Sequence, residues 1–123
     1  MFSLVVVDNM YRSPEAPNYL SQQVIDRLTF IVGDNNYSVL NFSDDTTKTL
    51  AYTLKRYEEK LPPSFVRISK SVIVNPLFVK SLSYSENKGD YVVMHLGDEF
   101  AISKRRYTTV RIALQKEFNR RML

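Results

Sequence analysis

The stretch from Ser64 to Asn75, S-F-V-R-I-S-K-S-V-I-V-N, constrains the fold more than any other part of the chain. Two apolar runs rich in β-branched residues, Phe65–Ile68 and Val72–Val74, flank the polar break Ser69-Lys70-Ser71. The chain must therefore turn a corner between two short strands. A second stretch, A-I-S-K-R-R-Y at Ala101–Tyr107, has the same logic: an apolar run gives way to Lys104, Arg105 and Arg106. On a rigid β scaffold, two such corners offer fixed positive tips to a polyanion, as in proteins that dock strand ends and loops onto DNA.

Length and charge are compatible with that outline. The 123 residues suffice for one domain with a core and leave no room for two. Residues 1–61 hold 6 Lys/Arg against 8 Asp/Glu, whereas residues 62–123 hold 11 against 5. The basic half carries both corners, and such asymmetry points toward nucleic acid or another anionic surface, although a soluble basic face has the same composition. The absence of cysteine excludes disulfides and thiolate metal sites. No apolar run approaches the roughly 20 residues that a membrane helix requires. The opening M-F-S-L-V-V-V lacks the basic start of a signal peptide and meets Asp8 at once, so a cytoplasmic location without membrane partners is expected.

Taken in order, Met1–Val7 reads as a strand, and Tyr11–Asn18, with Pro14 and Pro17, as a loop or linker. Strands follow at Leu28–Val32 and Tyr37–Phe42, around the hairpin-like break Gly33-Asp34-Asn35-Asn36. A Thr-rich short strand comes next. Thr53 then caps a helix to about Leu61, with Leu54, Tyr57 and Leu61 on one face and Pro62-Pro63 as its stop. From Phe78 the pattern is a β-meander: Val79–Tyr84, Tyr91–Leu96, a two-residue Gly97-Asp98 turn, and Glu99–Ile102. Ser103 caps a final amphipathic helix from about Lys104, striped by Tyr107, Val110, Leu114 and Phe118. The fold class is mainly β with two short helices, α+β by strict count.

Enzyme chemistry has no visible seat. Gly33, Gly89 and Gly97 are scattered, so no phosphate-cradling loop exists. The one histidine, His95, reads as a strand residue and has no nucleophile motif or second histidine to work with. The neighbouring carboxylates Asp44-Asp45 and Glu58-Glu59 do not face each other as a dyad would. No catalytic activity, metal, cofactor or small-molecule substrate is expected.

The order of motifs resembles the LytTR family, the β-rich DNA-binding domain of bacterial LytR/AlgR-type transcriptional regulators. The segments that carry the resemblance are L-T-F-I-V-G-D-N-N-Y-S, T-L-K-R-Y-E-E-K-L-P, S-F-V-R-I-S-K-S-V-I-V-N and G-D-E-F-A-I-S-K-R-R-Y, in that order over about residues 24–116. The resemblance implies a multi-stranded β scaffold with a C-terminal helix, a response-regulator output domain at 24–123, and an N-terminal strand and linker at 1–23. It also implies that loops and strand ends, rather than a recognition helix, enter successive major grooves of double-stranded DNA. Carried over by motif, the DNA-facing residues are Asn36, Tyr37 and Ser38 of the first turn, and Arg67, Ser69, Lys70 and Ser71 of the second. Lys104, Arg105 and Arg106 make the third. Paired half-sites occupied by two protomers are the family's usual arrangement.

Two departures bear on those expectations. Ser69 stands where the family often has histidine, so a base preference does not transfer with the motif. Only about 25 residues precede the match, which implies a stand-alone member or an output domain separated from its receiver. Both features leave room for an alternative, a protein-interaction module on the LytTR scaffold that inhibits or partners a DNA-binding regulator. A single-stranded nucleic-acid binder fits less well, because only Tyr37 and Tyr107 lie near the basic residues as stacking platforms.

Overall fold

A computed structural model describes residues 19–122. The expected strand Met1–Val7 and the whole of the proline-containing segment Tyr11–Asn18 lie outside the described residues. Helix α1 (Gln22–Arg27) leads into strands β1 (Leu28–Asp34), β2 (Tyr37–Phe42) and β3 (Thr47–Leu50), then helix α2 (Leu54–Lys60). Strands β4 (Val66–Ser69) and β5 (Val72–Val74) precede a 3-10 turn at Pro76–Phe78. The meander β6 (Val79–Ser85), β7 (Gly89–Met94) and β8 (Glu99–Ala101) follows, then a 3-10 turn at Lys104–Arg106 and helix α3 (Tyr107–Arg121).

The first five strands form one antiparallel sheet in the order β3-β2-β1-β5-β4, and β6-β7-β8 form a second. Alternation along the strands decides which side each residue serves. Ile31 and Ile73 point to one face, where they meet Leu54, Tyr57 and Leu61 of the α2 segment. Phe30, Val72 and Val74 point to the other, where Val92 and Met94 of the second sheet and Val110 and Leu114 of α3 cover them. The five-stranded sheet is thus buried on both faces, and the predicted stripes of both helices are its lids.

Several local expectations need correction. Helix α1 has no counterpart among the predicted elements; Ser21 caps it, its hydroxyl accepting from the Val24 N–H. Gly33 belongs to β1 rather than to the turn, and it is small for a packing reason. A Cβ there would lie 2.7 Å from Leu54 Cγ. The positive φ of the first hairpin belongs to Asn35, at 56°. Strand β7 ends at Met94, so His95 is an exposed turn residue, and the connection to β8 runs over His95–Asp98 rather than two residues. Thr53 and Ser103 occupy cap positions without making side-chain cap bonds. The chain after Ser103 first winds as a 3-10 turn, so α3 starts at Tyr107. Among the described residues, no helix is long and apolar enough to cross a membrane.

Candidate nucleic-acid interface

Backbone hydrogen bonds bring three separate loops to one end of the larger sheet. Strand β1 pairs with β5 as far as Val32 and Val72, and one step further the Gly33 N–H donates to the Ser71 carbonyl at 2.8 Å. The β1–β2 turn (Asn35-Asn36) and the β4–β5 turn (Ser69–Ser71) therefore leave the sheet side by side. The third loop joins them through the Ser103 N–H, which donates to the Ile68 carbonyl at 2.9 Å. This bond sets the Lys104–Arg106 turn beside the β4–β5 corner. Residues 35, 70 and 105, far apart in sequence, thus share one rim.

The side chains on that rim fall into two groups. Asn36, Tyr37, Lys70, Ser71, Lys104 and Arg105 are exposed, with Tyr37 46% accessible. The side chains of Lys70, Lys104 and Arg105 make no hydrogen bond or ion pair with any described residue. Their charges are free for an incoming anion. Ser69 is half-buried, and its hydroxyl accepts from the Ser71 N–H at 3.3 Å, which tightens the turn.

The others are committed inward. Ser38 is fully buried, and its hydroxyl lies 2.8 Å from the Tyr57 hydroxyl and 3.3 Å from the Leu50 carbonyl oxygen, to which it donates. It braces the first hairpin against α2 and is not presented at the surface, which removes it from the expected DNA-facing residues. Burial also pushes the Tyr57 hydroxyl well above its ordinary pKa, so it acts there as a neutral hydrogen-bonding group. Arg67, on the same face of the sheet as Ile73, donates from Nη1 to Glu58 Oε1 at 2.7 Å. Its Nη2 donates to the Lys70 carbonyl at 2.6 Å and its Nε to the Ser69 carbonyl at 3.2 Å.

Arg106 is half-buried between these groups. Desolvation lowers its pKa first, the like charges of Arg105 and Arg67 lower it further, and Glu58 opposes them. Arginine stays protonated in such surroundings, so three neighbouring guanidinium groups gather around the Glu58 carboxylate. Asn75, just before Pro76, caps the 3-10 turn after β5. Its Oδ1 accepts from the Leu77 N–H at 3.1 Å, and its Nδ2 donates to the Leu28 carbonyl at 2.9 Å. In the sequence Arg67 alternates with Val66 and Ile68, which places it on the opposite face of the strand from them but does not show that α2 covers that face.

A mostly-β scaffold that holds three polar loops on one rim, two of them cation-bearing, is built to meet a polyanion with main-chain rigidity. The family model of the LytTr DNA-binding domain matches residues 22–115. The chain belongs to the LytTR family, a DNA-binding domain of regulator type. Its structure is similar to the LytTr DNA-binding domain of a Bacillus cereus protein described as a methyl-accepting/DNA response regulator. That likeness has 23% sequence identity and a TM-score of 0.65, covers 73% of this chain and 83% of the other, and bears on the fold. Comparison with curated proteins gives no match.

Proposed function

We propose that the protein binds double-stranded DNA sequence-specifically and regulates transcription by inserting its three rim loops into successive major grooves. The observation that carries this reading is the gathering of Lys70, Lys104 and Arg105, their side chains all unpaired, on loops joined by main-chain hydrogen bonds. Lysines at such tips neutralise phosphates, and Arg105 has the geometry to donate to guanine O6 and N7 together. Asn36 has the matching donor and acceptor for an adenine edge, and Tyr37 an aromatic face for a sugar. Ser69 and Ser71 are short enough to act on bases through water. Arg106 supports the third loop and adds to its field.

The affinity in this reading comes largely from phosphate neutralisation and falls steeply with salt, while a few tip residues choose the sequence. Two protomers on paired half-sites suit a domain of this size, whose single rim covers only part of a regulatory site. The test is selection of bound sites from random double-stranded DNA, with the winners rebound across a salt series. A recurring paired motif, abolished in Lys70→Ala and in Arg105→Ala, is the expected result. Weak binding with no motif, gone by physiological salt, would replace this reading with a protein-interaction module on the same scaffold.

A further inference from the structure

We propose that Arg67 is a positioning residue that sets the Lys70 tip, with Glu58 of α2 as its anchor. The inference rests on the DNA-binding reading for its consequence, but its physical basis is independent of DNA. Only 18% of the Arg67 side chain is exposed, and Nε, Nη1 and Nη2 all have acceptors. Two of those acceptors are the carbonyls of Ser69 and Lys70, which belong to the turn itself. A guanidinium is a rigid planar fork, so fixing one edge on Glu58 fixes where the other edge can hold the turn.

The energetics favour this use over direct contact. To reach a base, Arg67 would give up three charge-assisted bonds, release its hold on the Ser69 and Lys70 carbonyls and leave the Glu58 carboxylate without its ion-pair partner. A carboxylate freed on the rim would then face the phosphates. Lys70 bears no such cost, because its ammonium is uncommitted while its own carbonyl is held. The tip therefore divides the labour: the Lys70 side chain addresses the ligand and the Lys70 backbone is gripped from below. Arg106 of the third loop feels the charges of both Arg67 and Glu58.

The experiment compares Arg67→Met, Arg67→Lys and Lys70→Ala, singly and as the Arg67→Met/Lys70→Ala pair, in the full chain. Binding is measured to the duplex enriched by selection and to a scrambled duplex, across salt. Amide order parameters of Lys70 and Ser71 are measured without DNA. Arg67→Met is expected to weaken specific binding by on the order of tenfold and to leave the salt slope unchanged. Arg67→Lys is expected to fail as a rescue, because one ammonium cannot reproduce the fork. In the Lys70→Ala background the Arg67→Met effect should shrink below about twofold.

A salt slope reduced by about 0.9, rescue by Arg67→Lys, or full additivity with Lys70→Ala would make Arg67 a direct phosphate or base ligand and overturn the proposal. If Arg67→Met does not fold, Glu58→Ala removes the anchor alone, and unchanged order parameters at Lys70 and Ser71 in it would count against the clamp. The two readings fail separately. A wild-type protein that binds no duplex, with tips that loosen in Arg67→Met, refutes the DNA reading and keeps the clamp. A wild-type protein that binds its site, with tips equally rigid in every variant, does the reverse.

Discussion

The cations of the rim and those at the end of α3 are the same residue types in the same basic half of the chain, yet they are spent differently. At the end of α3, Arg120 donates to both oxygens of Glu117, at 3.0 and 2.8 Å. Arg121 donates from Nε to the same carboxylate at 3.1 Å and from Nη2 to the Pro76 carbonyl at 2.7 Å. Those bonds tie the helix terminus to the turn after β5. On the rim, the side chains of Lys70, Lys104 and Arg105 are left unpaired. A net charge of +4 says that a polyanion would be attracted. Which cations are already employed says where it would settle.

The largest effect should come from emptying the rim. Lys70→Ala and Arg105→Ala are each expected to weaken binding to the selected duplex by about tenfold or more. Each should also lower the salt slope by about 0.9 for every phosphate it leaves without a cation, with the melting temperature unchanged. Equal losses in Lys116→Ala, measured in the same titration, would erase the distinction between rim and helix. The comparison is sharp because Lys116 is also exposed and unpaired but sits on the helix, so it separates position from mere availability.

A smaller effect, of opposite kind, belongs to Glu117→Gln. Hydrogen bonds from Arg120 first, and Arg121 as well, hold the Glu117 carboxyl below its ordinary value of 4.5. A lowered native value means that this stabilisation is complete above the unfolded value and is withdrawn as acid protonates the native carboxylate. Glu117→Gln is therefore expected to lower the melting temperature by a few degrees at neutral pH and to have its smallest effect in acid, below the native value. DNA affinity should not fall. A melting curve that shows the same Glu117→Gln deficit at neutral pH and in strong acid would assign the helix terminus to packing instead. The smallest effect is that of Lys116→Ala itself, less than about twofold in affinity and nothing in stability.

What can be read from the sequence follows the range of the interactions involved. Strands β1, β2, β4 and β5 are visible because each is a short apolar run between polar breaks, and the stripes Leu54-Tyr57-Leu61 and Tyr107-Val110-Leu114-Phe118 point to helices that cover a sheet. Helix α1 is not visible. Its six residues include only Val24 and Ile25 as half-buried apolar positions, too few to set a period. Ser38 and Arg67 are legible as members of motifs and illegible as members of networks. The hydroxyl that pairs with Ser38 lies nineteen residues downstream on α2, and the carboxylate that holds Arg67 lies across the sheet face on the same helix. Alternation tells which side a residue occupies, but whether that side is solvent or a helix is decided by the tertiary fold.

The two bonds that gather the rim, Gly33 N–H to the Ser71 carbonyl and Ser103 N–H to the Ile68 carbonyl, involve no side chain. Neither tie passes through Ser69, Lys70 or Arg105, so those tips can be exchanged while the distances between loops persist. In the DNA-binding reading, the pitch of the reading head then belongs to the fold and its alphabet to the tips. Descendants of such a domain, natural or engineered, would inherit a common footprint and drift in the letters they prefer.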